Sequence, residues 1–129
     1  MAHQKNKWID AVGKLIELTQ NRRLNWRAVP LGTDLENQNR HVDVVYETDY
    51  RGKTLRLFER RSVEKSYSEW FAAEGPQWRT ETILELIDPS GLGGWAFPES
   101  EAVHHLFIAV KYQVTGVSQF LDELLAEAV

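Results

Sequence analysis

The 129-residue chain carries a formal net charge of −4, with 43% hydrophobic residues, 26% charged residues and no cysteine. This length and composition are typical of one folded globular domain, so we expect a single domain over residues 1–129. The absence of cysteine excludes disulfides, thiolate metal sites and cysteine nucleophiles, and it suits a reducing cytoplasm. The negative charge disfavours general nucleic-acid binding, and no apolar run is long enough to span a bilayer. Neither nucleic acid nor a membrane is therefore an expected partner.

The charge is unevenly distributed along the chain. Residues 1–27 contain six Lys or Arg with two carboxylates, whereas residues 99–129 contain five carboxylates with Lys111 alone as Lys or Arg. Opposite charges attract, so the two ends of the chain can bind each other, within one molecule or between two.

The first predicted elements are an amphipathic helix and a short edge strand. Apolar residues recur at helical spacing from about Lys5 to Gln20, with charged residues on the other side. The alternation from Leu24 to Val29 predicts a strand, and Pro30 places it at a sheet edge because proline cannot donate to the ladder. The polar segment 30–40 is predicted to be a loop.

A hairpin follows, marked by a glycine turn between two alternating segments. The strands are predicted at 41–48 and 53–63, around the turn Asp49-Tyr50-Arg51-Gly52. In the first strand we expect one face to hold Val42, Val44, Tyr46 and Thr48. In the second strand Leu55 and Leu57 face the core, and the charged opposite side indicates a solvated sheet face.

The segment Arg79 to Ile87 is predicted to be the central strand of an antiparallel sheet. It is rich in β-branched residues, and the turn residues Asp88-Pro89-Ser90-Gly91 follow it. Residues 64–77 before it are predicted to form the outer end of a long hairpin, either an aromatic-rich tip or a single helical turn. Residues 92–97 after it are predicted to be a last, irregular strand.

Two helices are predicted at the C-terminal end. Ser100 suits the N-cap of the first, whose apolar stripe contains Val103, Leu106, Phe107, Val110 and Val114. Gly116 ends this helix, and Val117, Leu121, Leu124 and Leu125 repeat the apolar pattern in the second. The predicted fold class is α+β, with one N-terminal helix, an antiparallel sheet of four to five strands, and two C-terminal helices packed on one sheet face.

Several segments together carry a resemblance. They are Leu18-Thr19 followed by Leu24-Asn25-Trp26, the hairpin through Tyr46-Glu47-Thr48 and Leu55-Arg56-Leu57, then Leu84-Glu85-Leu86-Ile87-Asp88 and Tyr112-Gln113-Val114-Thr115-Gly116-Val117. This combination, which spans most of the chain, resembles a group of short uncharacterised bacterial proteins. The motifs are structural and the group has no known activity, so the resemblance implies the fold and no function.

Two sets of residues are candidates for binding. Arg56, Phe58 and Arg60 share a strand face beside Arg61, and an aromatic ring between guanidinium groups can stack on a base or on a partner's side chain. The favoured alternative is that these arginines pair with Glu47, Glu81 or Glu85 on neighbouring strands. The second set is aromatic, a class of residue that interfaces recruit: Tyr67, Trp70, Phe71 and Trp78.

A chemical role for His104 and His105 is a further hypothesis. Adjacent helical positions point about 100° apart and do not converge on one ion, although Glu101 lies one turn before His105 and could pair with it. A solvated or capping pair of histidines is favoured. No phosphate-loop, nucleotide-binding, zinc-protease or nucleophile-elbow motif occurs, so no catalytic residue, metal ligand or cofactor is assigned.

The leading hypothesis is a non-enzymatic protein-binding or self-associating module, either a homodimer or a partner of another polypeptide. It uses the uncovered sheet face and the aromatic segment from Tyr67 to Trp78. One alternative is ligand or nucleic-acid binding through Arg56, Phe58, Arg60 and Arg61. A weaker alternative is an enzyme that uses Glu101, His104 or His105.

Overall fold

A computed structural model of the protein describes residues 4–30, 40–64, 77–88, 90 and 94–127. In chain order its elements are α1 (Gln4–Gln20), β1 (Arg27–Val29), β2 (Arg40–Tyr50), β3 (Lys53–Glu64), β4 (Gln77–Ile87), β5 (Gly94–Ala96), α2 (Glu101–Val114) and α3 (Val117–Ala126). The strands form one five-stranded antiparallel sheet, and the helices pack on one face of it. The predicted α+β class and its order of elements are confirmed. None of the helices in these ranges is long and apolar enough to cross a membrane.

The sheet is a meander in which each strand pairs with the next, in the order β1-β2-β3-β4-β5. The predicted central position of Arg79 to Ile87 is therefore wrong, because this segment lies in β4 and the middle strand is β3. On one side β4 pairs with β3 over its whole length, from Thr54 opposite Ile87 to Glu64 opposite Gln77. On the other side, within the described ranges, it pairs with only the three residues of β5.

The β2–β3 hairpin turns at Arg51 and Gly52, inside the predicted segment 49–52, and β2 continues through Tyr50. Arg51 and Gly52 have positive φ angles of 49° and 81°, and the strands pair from Tyr50 opposite Lys53 onward. Two consecutive left-handed residues are typical of the tight turn whose twist matches that of the flanking strands. Gly52 adopts this conformation without the strain that a side chain would add.

A β-bulge in β2 changes which residues share a face. The register shifts between Val42 and Val45. An extra residue in one strand reverses the alternation beyond it, so Val42 joins Val45 and Phe58 on the face away from the helices. The predicted face containing Val42 and Val44 together is therefore wrong, since Val44 packs against the helix-facing core.

The other face of the sheet meets the helices in a continuous apolar core. Val12 of α1, Leu57 of β3, Leu84 of β4 and Leu106 of α2 are each 0% exposed. Full burial of one such side chain contributes about 1.5–3 kcal/mol, so this layer holds α1 and α2 to the sheet.

The Gln113 side chain joins α2 to the C-terminal end of α1. Its Nε2 donates to the carbonyl oxygens of Thr19 and Leu24, both at 2.9 Å, and its Oε1 accepts from the backbone N–H of Trp26 at 2.8 Å. The Thr19 hydroxyl in turn donates to the Leu15 carbonyl at 2.7 Å and accepts from the Trp26 indole N–H at 3.0 Å. One amide therefore satisfies three backbone groups at the end of α1 and in the loop after it.

The last two helices meet at Gly116. The Ser100 hydroxyl caps α2 by accepting from the Val103 N–H at 3.3 Å, as predicted. Gly116 has a φ of 69°, a left-handed conformation that suits glycine at the end of a helix. α3 begins after this residue and contacts α2, and none of its residues is buried.

The Gln113 bonds can be tested by a replacement of similar size. We expect Gln113→Leu to lower the free energy of unfolding by about 2–4 kcal/mol, because three partly buried backbone groups lose their partner. The measurement is urea denaturation followed by circular dichroism. Gln20→Leu, at an exposed position of α1, is the control and should change stability by less than about 0.5 kcal/mol. Equal denaturation midpoints for the two variants would contradict the role given to Gln113.

Candidate functional site

Two ion pairs lie on the sheet face turned away from the helices. Arg56 Nη2 is 3.0 Å from Glu85 Oε2, and Arg60 Nη2 is 3.0 Å from Glu81 Oε2. In each pair the two residues are directly opposite on β3 and β4, and all four side chains are 20–27% exposed. The favoured interpretation, in which these arginines pair with glutamates on a neighbouring strand, is confirmed.

Phe58 lies beneath this layer of charge. It is 1% exposed and clusters with Val42 and Val45, while Arg56 Cζ is 5.8 Å from the centre of its ring. A ring with so little exposed surface is not available to stack on a base or on a partner's side chain, which corrects the expectation of an exposed aromatic on a solvated face. Alternation indicates which side chains share a face, but it does not indicate whether that face is covered.

Arg61 is separated from the other two arginines. Successive residues of a strand point to opposite faces, so Arg61 lies on the face that carries the helices. Its Nη2 is 3.2 Å and 3.5 Å from the two carboxylate oxygens of Asp43, and these side chains are 48% and 72% exposed. An ion pair this exposed adds little stability. The structure therefore places Arg61 on the opposite face of the sheet from Arg56 and Arg60.

The predicted aromatic segment is described only at its end. Trp78, at the start of β4, is 55% exposed and lies opposite Val63. Tyr67, Trp70 and Phe71 lie outside the described residues, so their part in binding stays a prediction.

The two histidines lie next to each other on α2, and both are exposed. His104 Nδ1 is 3.4 Å from the Thr82 hydroxyl, at the long limit of a hydrogen bond, and its ring centre is 6.5 Å from that of His105. His104 shares an open surface groove with Glu101 and Glu59. Within the described ranges, no three His, Asp or Glu side chains gather in an arrangement that could hold a metal ion.

The most exposed apolar surface in the described chain lies on α3. We call it the C-terminal apolar face, and it consists of Phe120 (60% exposed), Leu121 (41%), Leu124 (58%) and Leu125 (83%). Two residues on α2, Ile108 and Tyr112, are also exposed, and they line one groove together with Val117 of α3. The sequence pattern identifies the apolar stripe of this helix, but periodicity alone does not indicate that the stripe is exposed.

Comparisons with known proteins add no function. No protein-family model, no curated protein and no solved structure matches the chain. The resemblance to short bacterial proteins therefore stays a prediction.

A charge swap separates a structural role of Arg60 from a binding role. We expect Arg60→Glu to lower the free energy of unfolding by about 1 kcal/mol, because it places a carboxylate opposite Glu81. Adding Glu81→Arg should restore most of that loss by rebuilding the pair in the reverse orientation. Urea denaturation of the two single variants and the double variant measures the coupling. Arg61→Glu, in a more exposed pair, should have a smaller effect, and the absence of any restoration by Glu81→Arg would contradict the pairing.

Proposed function

We propose that this protein is a non-enzymatic, self-associating module that forms a homodimer through the C-terminal apolar face. The observation that supports this proposal is the exposure of four large apolar side chains on one helix of only ten residues. Leu125, at 83%, is the most exposed of them. An exposed apolar patch of this kind is typical of a protein-interaction site.

The spacing of these residues suits contact with another protein surface. Val117, Phe120, Leu121 and Leu124 occupy positions i, i+3, i+4 and i+7, which lie along one side of a helix. Amphipathic helices that bind in a groove of a partner use the same spacing. Ile108 and Tyr112 extend the apolar surface from α3 onto α2.

The charge distribution favours a second copy of the same chain as the partner. Cations from the basic N-terminal part of one protomer, among them Lys14, can face carboxylates from the acidic C-terminal part of another. Closed homodimers are the commonest assemblies of soluble proteins.

Because the chain has no cysteine, the proposal is compatible with a cytoplasmic location.

The alternative functions have less support. Phosphate groups of nucleic acid bind to clustered, available cations, and each of Arg56 and Arg60 already has a glutamate at 3.0 Å. An enzyme that uses Glu101, His104 or His105 has no support from the open groove around them, in which His104 makes one long hydrogen bond.

The proposal is tested by sedimentation analysis of apolar-to-charged variants. We expect Leu121→Asp with Leu125→Asp to raise the dimer dissociation constant by roughly three orders of magnitude, because two buried anchor residues contribute on the order of 2 kcal/mol each and about 1.4 kcal/mol is tenfold. Monomer stability should change little, since neither side chain is buried.

Ile9→Asp on α1 is the matched control, because Ile9 and Leu121 have the same exposure of 41%. It should leave the dissociation constant unchanged. A wild-type protein that stays monomeric at millimolar concentration, or equal weakening by Ile9→Asp, would contradict the proposal.

A further inference from the structure

An apolar groove of about 500 Å³ lies between α1 and the β2–β3 hairpin, and we call it the α1–hairpin groove. Its apolar surface is formed by Leu15, Leu18, Leu55, Leu86 and Phe97. Leu15 and Leu55 are buried members of the main core, and the other three pack against that core. The floor of the groove is therefore part of the stable interior of the fold.

The border of the groove is positively charged. Among the described residues that line it, Lys14, Arg51 and Lys53 are cationic and none is acidic. Lys14 comes from the α1 wall, whereas Arg51 and Lys53 come from the hairpin wall. An apolar floor between two cationic walls is complementary to an apolar, acidic helix.

Among the described residues, the carboxylates beside these cations engage them only weakly. Lys14 Nζ is 3.5 Å from Glu17 Oε2, with side chains 64% and 60% exposed, and a pair this exposed is readily exchanged for another. The pKa of Asp88 is lowered mainly by the hydrogen bond from the Ser90 backbone N–H, and less by Lys53. The Arg51 guanidinium lies 5.4 Å from the ring centre of Tyr50.

The α3 helix has the complementary pattern. Its residues and the Glu127 that follows include three carboxylates, Asp122, Glu123 and Glu127, with no Lys or Arg. At about 100° per residue, Asp122 lies on one side of the C-terminal apolar face, and Glu123 and Glu127 lie on the other. A leucine stripe with acid groups on both sides matches an apolar floor with cations on both walls.

We propose that α3 of one protomer binds in the α1–hairpin groove of a second copy, and that the exchange is reciprocal. This inference rests on the proposed self-association and names the acceptor surface for α3. Within one protomer α3 packs against α2 and none of its residues lines the groove, so the occupant comes from another copy. The ten residues of α3 span about 15 Å, and a reciprocal exchange makes two such contacts related by a twofold axis.

Charge reversal with rescue tests the inference. We expect Lys14→Glu with Lys53→Glu to raise the dimer dissociation constant by about tenfold or more at low ionic strength, and by less in high salt. Asp122→Lys with Glu123→Lys should have the same effect. The combined fourfold variant should return to within about threefold of the wild type, because opposite charges face each other again. Sedimentation at two salt concentrations gives these constants.

The control for general charge effects is Lys7→Glu with Arg23→Glu. These exposed residues carry the same charges as Lys14 and Lys53, and neither lines the groove. We expect this control to change the dissociation constant by less than about threefold. Circular dichroism checks that every variant is folded.

Cross-linking gives a second measurement that does not depend on charge. The chain has no cysteine, so Ala11→Cys places a single thiol in the groove and Leu125→Cys places a single thiol on α3. When the two variants are mixed under mild oxidation, we expect a disulfide between the two different chains. Neither variant alone should cross-link to the same extent.

The possible failures are distinguishable. If Lys14→Glu with Lys53→Glu matches its control, and Leu125→Cys chains cross-link with one another, then α3 pairs with α3 and the groove is not its acceptor. That result overturns this inference and leaves self-association through α3 intact. A monomeric wild-type protein overturns the self-association itself.

Discussion

The fold depends on a cluster of hydrogen bonds around the Gln113 amide. Gln113 joins the last turn of α1 and the loop before β1 to the end of α2, and the Thr48 hydroxyl of β2 donates to the Asn25 carbonyl in the same loop at 2.6 Å. These hydrogen bonds join four parts of the chain, namely the end of α1, the loop before β1, strand β2 and the end of α2. Buried polar groups need hydrogen-bond partners, so the bonds hold these four parts together. Gly116 follows three residues later, so the cluster also fixes the point from which α3 leaves the core. The position of the proposed contact helix is a consequence of this polar cluster as much as of apolar packing.

Some of the segments on which the predicted resemblance rests meet in this cluster. The segments that carry the resemblance include Leu18-Thr19, Leu24-Asn25-Trp26, Thr48 and Gln113, and these are the segments that the cluster joins. Their residues share a structural task, which is to satisfy backbone groups where α1 ends. A resemblance based on such residues carries information about the fold. It carries none about a ligand or a reaction, because none of these residues has been assigned chemistry.

The sequence predicted the elements of this fold because local periodicity and turn chemistry are short-range properties. The β2–β3 turn followed from Gly52, the cap of α2 from Ser100, and the pairing of Arg60 with Glu81 from their places on adjacent strands. Long-range features were not predictable in this way. The bulge after Val42 was hidden because valines stand at 42, 44 and 45, so an apolar residue is available in either register. The exposure of α3 could not be predicted, because periodicity defines an apolar face but does not indicate what covers that face.

The energetics of α3 connect its exposure with its charge. A helix of ten residues is marginal in water by itself, and carboxylates near its C-terminal end oppose the helix dipole. With no buried residue, α3 gains little from the packing that stabilises α1 and α2. A surface that covers its leucines adds the apolar burial that α3 lacks. Cations beside its carboxylates offset their unfavourable interaction with the helix dipole. In the proposed dimer such a surface binds the ordered helix in preference to the disordered one, and the dimer then links the order of α3 to the association of protomers. From the proposed dimer we therefore expect the helical content of α3 to rise with protein concentration, whereas that of α1 and α2 should not.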